Sequence, residues 1–127
     1  MLSGSGRYEP LVPAPFEAAP QRAGADVVIA IRGEFDVAGG PALSRAVEDV
    51  VSSAGERVVV DLAELSFIDA SGIHALGRAY GRLRGEGKKV VMRDPQPRVL
   101  RLLQLCGINE WQEGLERSTS AVLQGHT

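Results

Sequence analysis

The chain has 127 residues, a formal net charge of -2 and 44% hydrophobic residues, the profile of one globular domain able to build its own core. It lacks the basic excess that drives bulk attraction to nucleic acid or anionic membranes, so neither is expected as a direct partner. Cys106 is the single cysteine, which excludes an intrachain disulfide and a multi-cysteine metal site. No apolar stretch reaches the roughly 20 residues of a transmembrane helix. The segment Met1 to Arg7 has no apolar signal region, so a cytoplasmic location is expected.

Residues 1–14 are rich in Gly, Pro and Ser and show no periodicity, which predicts a flexible tail ahead of one domain over 15–127. A short strand is expected at Phe16 to Ala19 and a turn at Gln21 to Ala25. The apolar strand Asp26 to Arg32 follows, and so short a link makes the two strands an antiparallel hairpin. Gly33-Glu34-Phe35-Asp36 closes that strand. Pro41 suits the first turn of a helix, because its missing N–H would be unpaired there anyway. Leu43, Ala46, Val47, Val50 and Val51 form the buried stripe of that helix, with Arg45, Glu48 and Asp49 outward. Ser53-Ala54-Gly55 signals its end, and the next strand covers Arg57 to Asp61. Strand, helix and strand of these lengths predict a parallel βαβ unit.

A short polar connection then leads to Asp69-Ala70-Ser71-Gly72, ahead of a helix whose apolar face is Ile73, Leu76, Ala79 or Tyr80, and Leu83. Gly85 or Gly87 stops this helix, and Lys89 to Met92 is a further strand. Pro95 and Pro97 open a helix with Val99, Leu102, Leu103 and Cys106 at helical spacing. Cys106 is therefore expected in the core, with Gly107 as the left-handed stop. Ile108 to Gln112 is read as an edge strand, and Ser118 as the cap of a short terminal helix over Ala121 to Leu123. The sum is a small α/β sandwich. Its mixed sheet has four to five strands, with about four helices mainly on one face.

The chemistry concentrates at Asp69-Ala70-Ser71-Gly72. The first N–H groups of a helix lack intrahelical partners, and the dipole there favours negative charge. Ser71 can cap the helix, or it can carry a phosphate, which would add about -1.5 to -2 units of charge and three acceptor oxygens. Asp69 can cap the same helix, orient the Ser71 hydroxyl or accept its proton. Asp36 ends the preceding strand, and in a parallel unit such ends share one sheet edge, where partner and ligand sites collect. Asp36 is thus either a turn aspartate or a second carboxylate flanking the same surface as Asp69.

Ser71, His74 and Asp69 invite comparison with a hydrolase triad. No Gly-x-Ser-x-Gly elbow is present, however, and three members within six residues do not meet the triad geometry. His74 is read as a surface or half-buried helix residue. Arg78, Arg82, Arg84, Lys88, Lys89 and Arg93 form a solvated basic run without interleaved aromatics. No phosphate-binding glycine loop, dinucleotide fingerprint or metal cluster is found, so no cofactor or metal is expected.

Gly33-Glu34-Phe35-Asp36, Leu65-Ser66-Phe67-Ile68-Asp69-Ala70-Ser71-Gly72-Ile73 and Leu102-Leu103-Gln104-Leu105-Cys106-Gly107-Ile108 together resemble the STAS domain. Within it they are most similar to the bacterial anti-sigma factor antagonists. The resemblance spans about residues 16 to 124. It implies a non-enzymatic STAS domain, monomeric when free, that binds an anti-sigma factor with serine kinase activity and so frees a sigma factor. Phosphorylation at Ser71 would break the complex, and a phosphoserine phosphatase would reset it. The matching partner-binding positions are Asp36, Asp69, Ala70, Ser71, Gly72 and His74. Ala70 stands where the family often has a first serine, which leaves Ser71 as the acceptor. Gly39-Gly40 replaces the family's hydroxyl near the first helix, so regulation there is not expected. The alternative role is an unswitched STAS scaffold in a stress-signalling or lipid-transport assembly.

Overall fold

The computed structural model describes residues 15–53, 57–106 and 115–116. Its strands are β1 (Glu17–Ala23), β2 (Asp26–Phe35), β3 (Arg57–Ile68), β4 (Lys89–Arg93) and β5 (Leu115–Glu116). Its α-helices are α1 (Gly40–Val51), α2 (Ala70–Gly85) and α3 (Pro97–Leu105), and a 3-10 turn over Val37–Gly39 precedes α1. The strands form one sheet in the order β1-β2-β3-β4-β5. β1 pairs antiparallel to β2, and the remaining neighbours are parallel. The mixed sheet and the βαβ unit are as expected. Three α-helices lie among the described residues. The tail over 1–14, Gly107, the strand at Ile108 to Gln112 and the terminal helix after Ser118 lie outside them.

β1 is longer than its composition suggests. It continues through Gln21 and Arg22, and only the two residues Gly24 and Ala25 link it to β2. β1 is the sheet edge and almost wholly exposed, so polar side chains suit it. Pro20, which has no N–H to give a second neighbour, is tolerated only in such a strand.

β3 also exceeds its expected bounds. Instead of ending at Asp61, it runs on to Ile68. Two register shifts against β2 explain the difference: Ala30 pairs Asp61 but Arg32 pairs Glu64, and Gly33 pairs Leu65 but Glu34 pairs Phe67. Each shift places an extra residue in β3, a β-bulge. Buried positions therefore change from a nearly continuous run at Val58, Val59, Val60 and Leu62 to steps of three at Leu65 and Ile68. Read by period two, that stretch looks like a polar loop. Side chains secure both bulges. Asp61 accepts from the Ala63 amide at 3.0 Å, and the Ser66 hydroxyl donates to the Gly33 carbonyl at 3.0 Å. At the other end of the pair, Arg57 donates to Asp26 at 2.6 Å between register partners.

The core lies between the sheet and the helices. Ile29, Val60 and Val90 meet Leu43 and Val47 of α1 and Leu76 and Leu83 of α2. Val99 and Leu103 of α3 join the same cluster. The helical stripes read from sequence are the buried ones: Leu43, Ala46, Val47 and Val50 in α1, and Ile73, Leu76 and Leu83 in α2. Each buried Leu, Val or Ile among them contributes about 1.5–3 kcal/mol. Gly87, not Gly85, stops α2. Its φ is +82°, and the bonds Lys88 N–H to Leu83 C=O and Gly87 N–H to Arg84 C=O form the paired closure of a Schellman end.

Arg78, Arg82, Arg84 and Lys89 of the basic run are exposed, as expected, while Lys88 and Arg93 are half-buried. Arg82 bridges Glu48 of α1 and Glu86, the C-cap of α2, at 2.9 and 2.6 Å. The hydrogen bond from Arg82 holds the Glu48 carboxyl below the ordinary glutamate range. The pair therefore acts at neutral pH and is lost as acidification protonates Glu48. Lys88 donates to the Ser53 carbonyl, and Arg84 donates to the Tyr80 hydroxyl.

Candidate functional site

Phe35 and Ile68 are the last paired residues of β2 and β3. The next residue on each strand is an aspartate, so Asp36 and Asp69 emerge side by side from strands about 4.8 Å apart. The Asp69 amide donates to the Phe35 carbonyl at 3.2 Å, extending the ladder by one bond. The bulges in β3 bring this about, because they carry a twelve-residue strand to the same edge as the ten-residue β2.

Each aspartate caps the element that follows it. Asp36 accepts from the Ala38 amide at 3.0 Å and opens the 3-10 turn. Asp69 accepts from the Gly72 amide at 3.0 Å and opens α2. The side-chain cap of α2 is thus Asp69, and Ser71 does not cap the helix. Ser71 is the second residue of the helix and is exposed. Among the described residues, no group is hydrogen-bonded to its hydroxyl. A phosphate there would sit at the positive end of the α2 dipole, while the Asp69 charge would oppose it.

Ala70 and His74 are exposed and Gly72 is buried. An open depression lined by Ala70, Ile73, His74, Gly77, Arg78 and Cys106 runs along α2 from this point. Its presence corrects the reading of Cys106, which is exposed. α3 ends at Leu105, and Cys106 is its terminal cap, so the helical period that would turn its thiol inward has already stopped. All six expected partner-binding positions lie at this one end of the sheet or on the first turns of α2. His74 belongs to the exposed helix face, and among the described residues no hydrogen bond joins it to Ser71 or Asp69.

Two exposed apolar residues stand close to the aspartates in the chain, and neither was read as partner-binding from sequence. Val37 is 75% exposed directly after Asp36, and Phe67 is 44% exposed two residues before Asp69. Isolated exposed apolar side chains are ordinary, but these two bracket the paired carboxylates. The available signal was that neither fits the buried period of its own element.

Gly72 is required by packing. A Cβ on it would lie 2.7 Å from both Ile68 Cγ1 and the Phe35 carbonyl oxygen. Gly77, on the exposed side of the same helix, has open space at that position. Gly72→Ala should therefore destabilise the chain by about 1–3 kcal/mol. Gly77→Ala should stabilise it by about 0.5–1 kcal/mol through helix propensity. Thermal unfolding of the two variants checks the opposite signs.

The family model described as "Mlab, STAS domain" matches residues 18–123. No curated protein sequence matches the chain. Among solved structures, an anti-sigma factor antagonist from Mycobacterium paratuberculosis superposes with a TM-score of 0.73 at 23% identity, over 90% of this chain and 96% of that one. The Bacillus cell fate determinant SpoIIAA in its phosphorylated form gives a TM-score of 0.63 at 18% identity, over 88% and 98%. The murine anion transporter Slc26a9 gives 0.70 at 14% identity, over 89% of this chain and 22% of that one. At these identities the structures show a shared fold, and the family match spans most of the residues that build it. The chain belongs to the STAS domain family.

Proposed function

We propose that this chain is an anti-sigma factor antagonist: it binds an anti-sigma factor with serine kinase activity, frees a sigma factor, and is switched off by phosphorylation of Ser71. The observation that carries the reading is the exposed, unbonded Ser71 hydroxyl beside two capping aspartates and the exposed Val37 and Phe67. Asp69 already holds the helix start, so Ser71 is free to react without loss of the cap. In the transfer, Ser71 Oγ bonds to the terminal phosphorus of ATP held by the partner. The bond from that phosphorus to the ADP oxygen breaks, and the hydroxyl proton leaves to a base. The phosphate then puts charge on a surface fitted to a neutral hydroxyl, and complementarity is lost. A phosphoserine phosphatase resets the switch, and a cytoplasmic setting follows from such partners. The chain itself supplies a binding surface and no catalyst.

The test is phosphate uptake. Incubated with its partner kinase and ATP, the wild-type chain should gain one phosphate, located at Ser71 by peptide mass spectrometry. Ser71→Ala should gain none and still bind. Uptake by Ser71→Ala at the wild-type level would overturn the assignment.

A second reading is an unswitched STAS subunit of a larger assembly. The match to a small part of an anion transporter favours it, because the fold there is one portion of a longer chain. Stable co-purification with transporter subunits, and no phosphate on Ser71, would establish that reading instead.

A further inference from the structure

The Asp36 turn and the Ser71 helix start share one support. Phe35 is fully buried and lies between them. A Cβ at Gly39, in the Asp36 turn, would fall 2.8 Å from Phe35 Cδ1 and 2.9 Å from Phe16 Cγ. A Cβ at Gly72, beside Ser71, would fall 3.0 Å from Phe35 Cγ. The turn and the helix start therefore rest against the same ring, Gly39 at a distance that excludes a Cβ and Gly72 at one that leaves it little room. Phe16 closes the stack from the other side, its ring centroid 4.4 Å from that of Phe35 at an interplanar angle of 33°. The backbone ahead of it is equally tight. Gly33 has a φ of +91°, and a Cβ there would strike the Pro15 carbonyl oxygen at 2.2 Å.

We propose that Phe16 is a positioning residue for the candidate surface: by stacking on Phe35 and covering Gly39, it sets the Asp36 turn against the Asp69–Ser71 helix start. The claim deepens the proposed function and rests on it only where partner binding is concerned. Phe16 is half-buried and packs at the rim of the core, so its ring can be removed while the sheet and the main cluster stay intact. The turn it covers is short; Ala38 N–H donates to Asp36 Oδ1 and Gly39 N–H to the Asp36 carbonyl, each at 3.0 Å, and Gly40 N–H donates to the Val37 carbonyl. Offset and tilted aromatic pairs are favourable beyond the area they bury, so the stack favours one orientation of the turn. Loss of Phe16 would leave the Asp36 carboxylate present and displaced.

Amide hydrogen exchange on the full chain tests this without a partner. Phe16→Ala should raise exchange at Ala38 and Gly39 at least tenfold and leave Val59 and Val60 of β3 unchanged. Val90→Ala, a half-buried truncation on β4 away from the site, should lower the melting temperature without loosening Ala38. Phe16→Tyr, which keeps the ring, should restore protection. Unchanged exchange at Ala38 and Gly39 in Phe16→Ala, or equal loosening in Val90→Ala, would overturn the proposal. The serine-kinase anti-sigma factor recovered with the wild-type chain, once purified, should bind Phe16→Ala at least tenfold more weakly and Val90→Ala equally. Equal binding of Phe16→Ala would also overturn the proposal. If the wild-type chain binds no such kinase, the functional reading falls, and the exchange comparison still decides the role of Phe16.

Discussion

Ser71→Asp is expected to bind the anti-sigma partner about a hundredfold more weakly than wild type, a loss of about 3 kcal/mol. The side chain is exposed at the second position of α2, so the substitution removes no core contact. A carboxylate in the first helical turn is favoured by the dipole, and the melting temperature should hold or rise slightly. Asp69 and Asp36 already make this edge acidic, so a third negative group changes the field where a partner must approach. Like charges brought together at an interface cost several kcal/mol. Titration calorimetry with wild type, Ser71→Ala and Ser71→Asp separates charge from shape: Ser71→Ala should bind as wild type does. Equal affinity of Ser71→Asp would place Ser71 outside the interface.

The largest stability effect is expected at Phe35. Its side chain has no exposure, and it supports the Asp36 turn, the start of α2 and the Phe16 ring together. Phe35→Ala should cost about 3–5 kcal/mol, the range for an aromatic truncated in a packed core. Against a total stability of about 5–15 kcal/mol, that is a large fraction. The cavity would open beneath both glycines, where their short backbone approaches resist collapse. Phe35→Leu, which keeps much of the volume, should cost about 1–2 kcal/mol. Urea unfolding of the two variants measures the difference. A Phe35→Ala loss below about 1 kcal/mol would show that the loops do not depend on this ring.

Much of the architecture could be read locally. The stripes of α1 and α2 have one period and one buried face each, so spacing alone identified Leu43, Val47, Leu76 and Leu83 as core. The Asp69-Ala70-Ser71-Gly72 junction was visible because a carboxylate, a hydroxyl and a glycine stood just ahead of a helical pattern. Local reasoning failed where one element answers to another. β1 was cut short because an edge strand needs no alternation. β3 was cut short because its bulges reset the alternation against β2. The α3 period, extended past Leu105, turns Cys106 inward, but the helix has ended before it.

Sequence by itself determined the order of the main elements, the buried stripes and the candidate site residues, because these depend on neighbours within one or two turns. Tertiary structure decided which of them act together. The two bulges bring Asp69 level with Asp36, a relation set by pairing between residues more than thirty positions apart. The same pairing gives the α2 cap to Asp69 and leaves the Ser71 hydroxyl exposed. It also places Phe35 under both loops, with Phe16 against it. Hydrophobic periodicity encodes which face of an element turns inward. It carries no information about which distant backbone that face will meet.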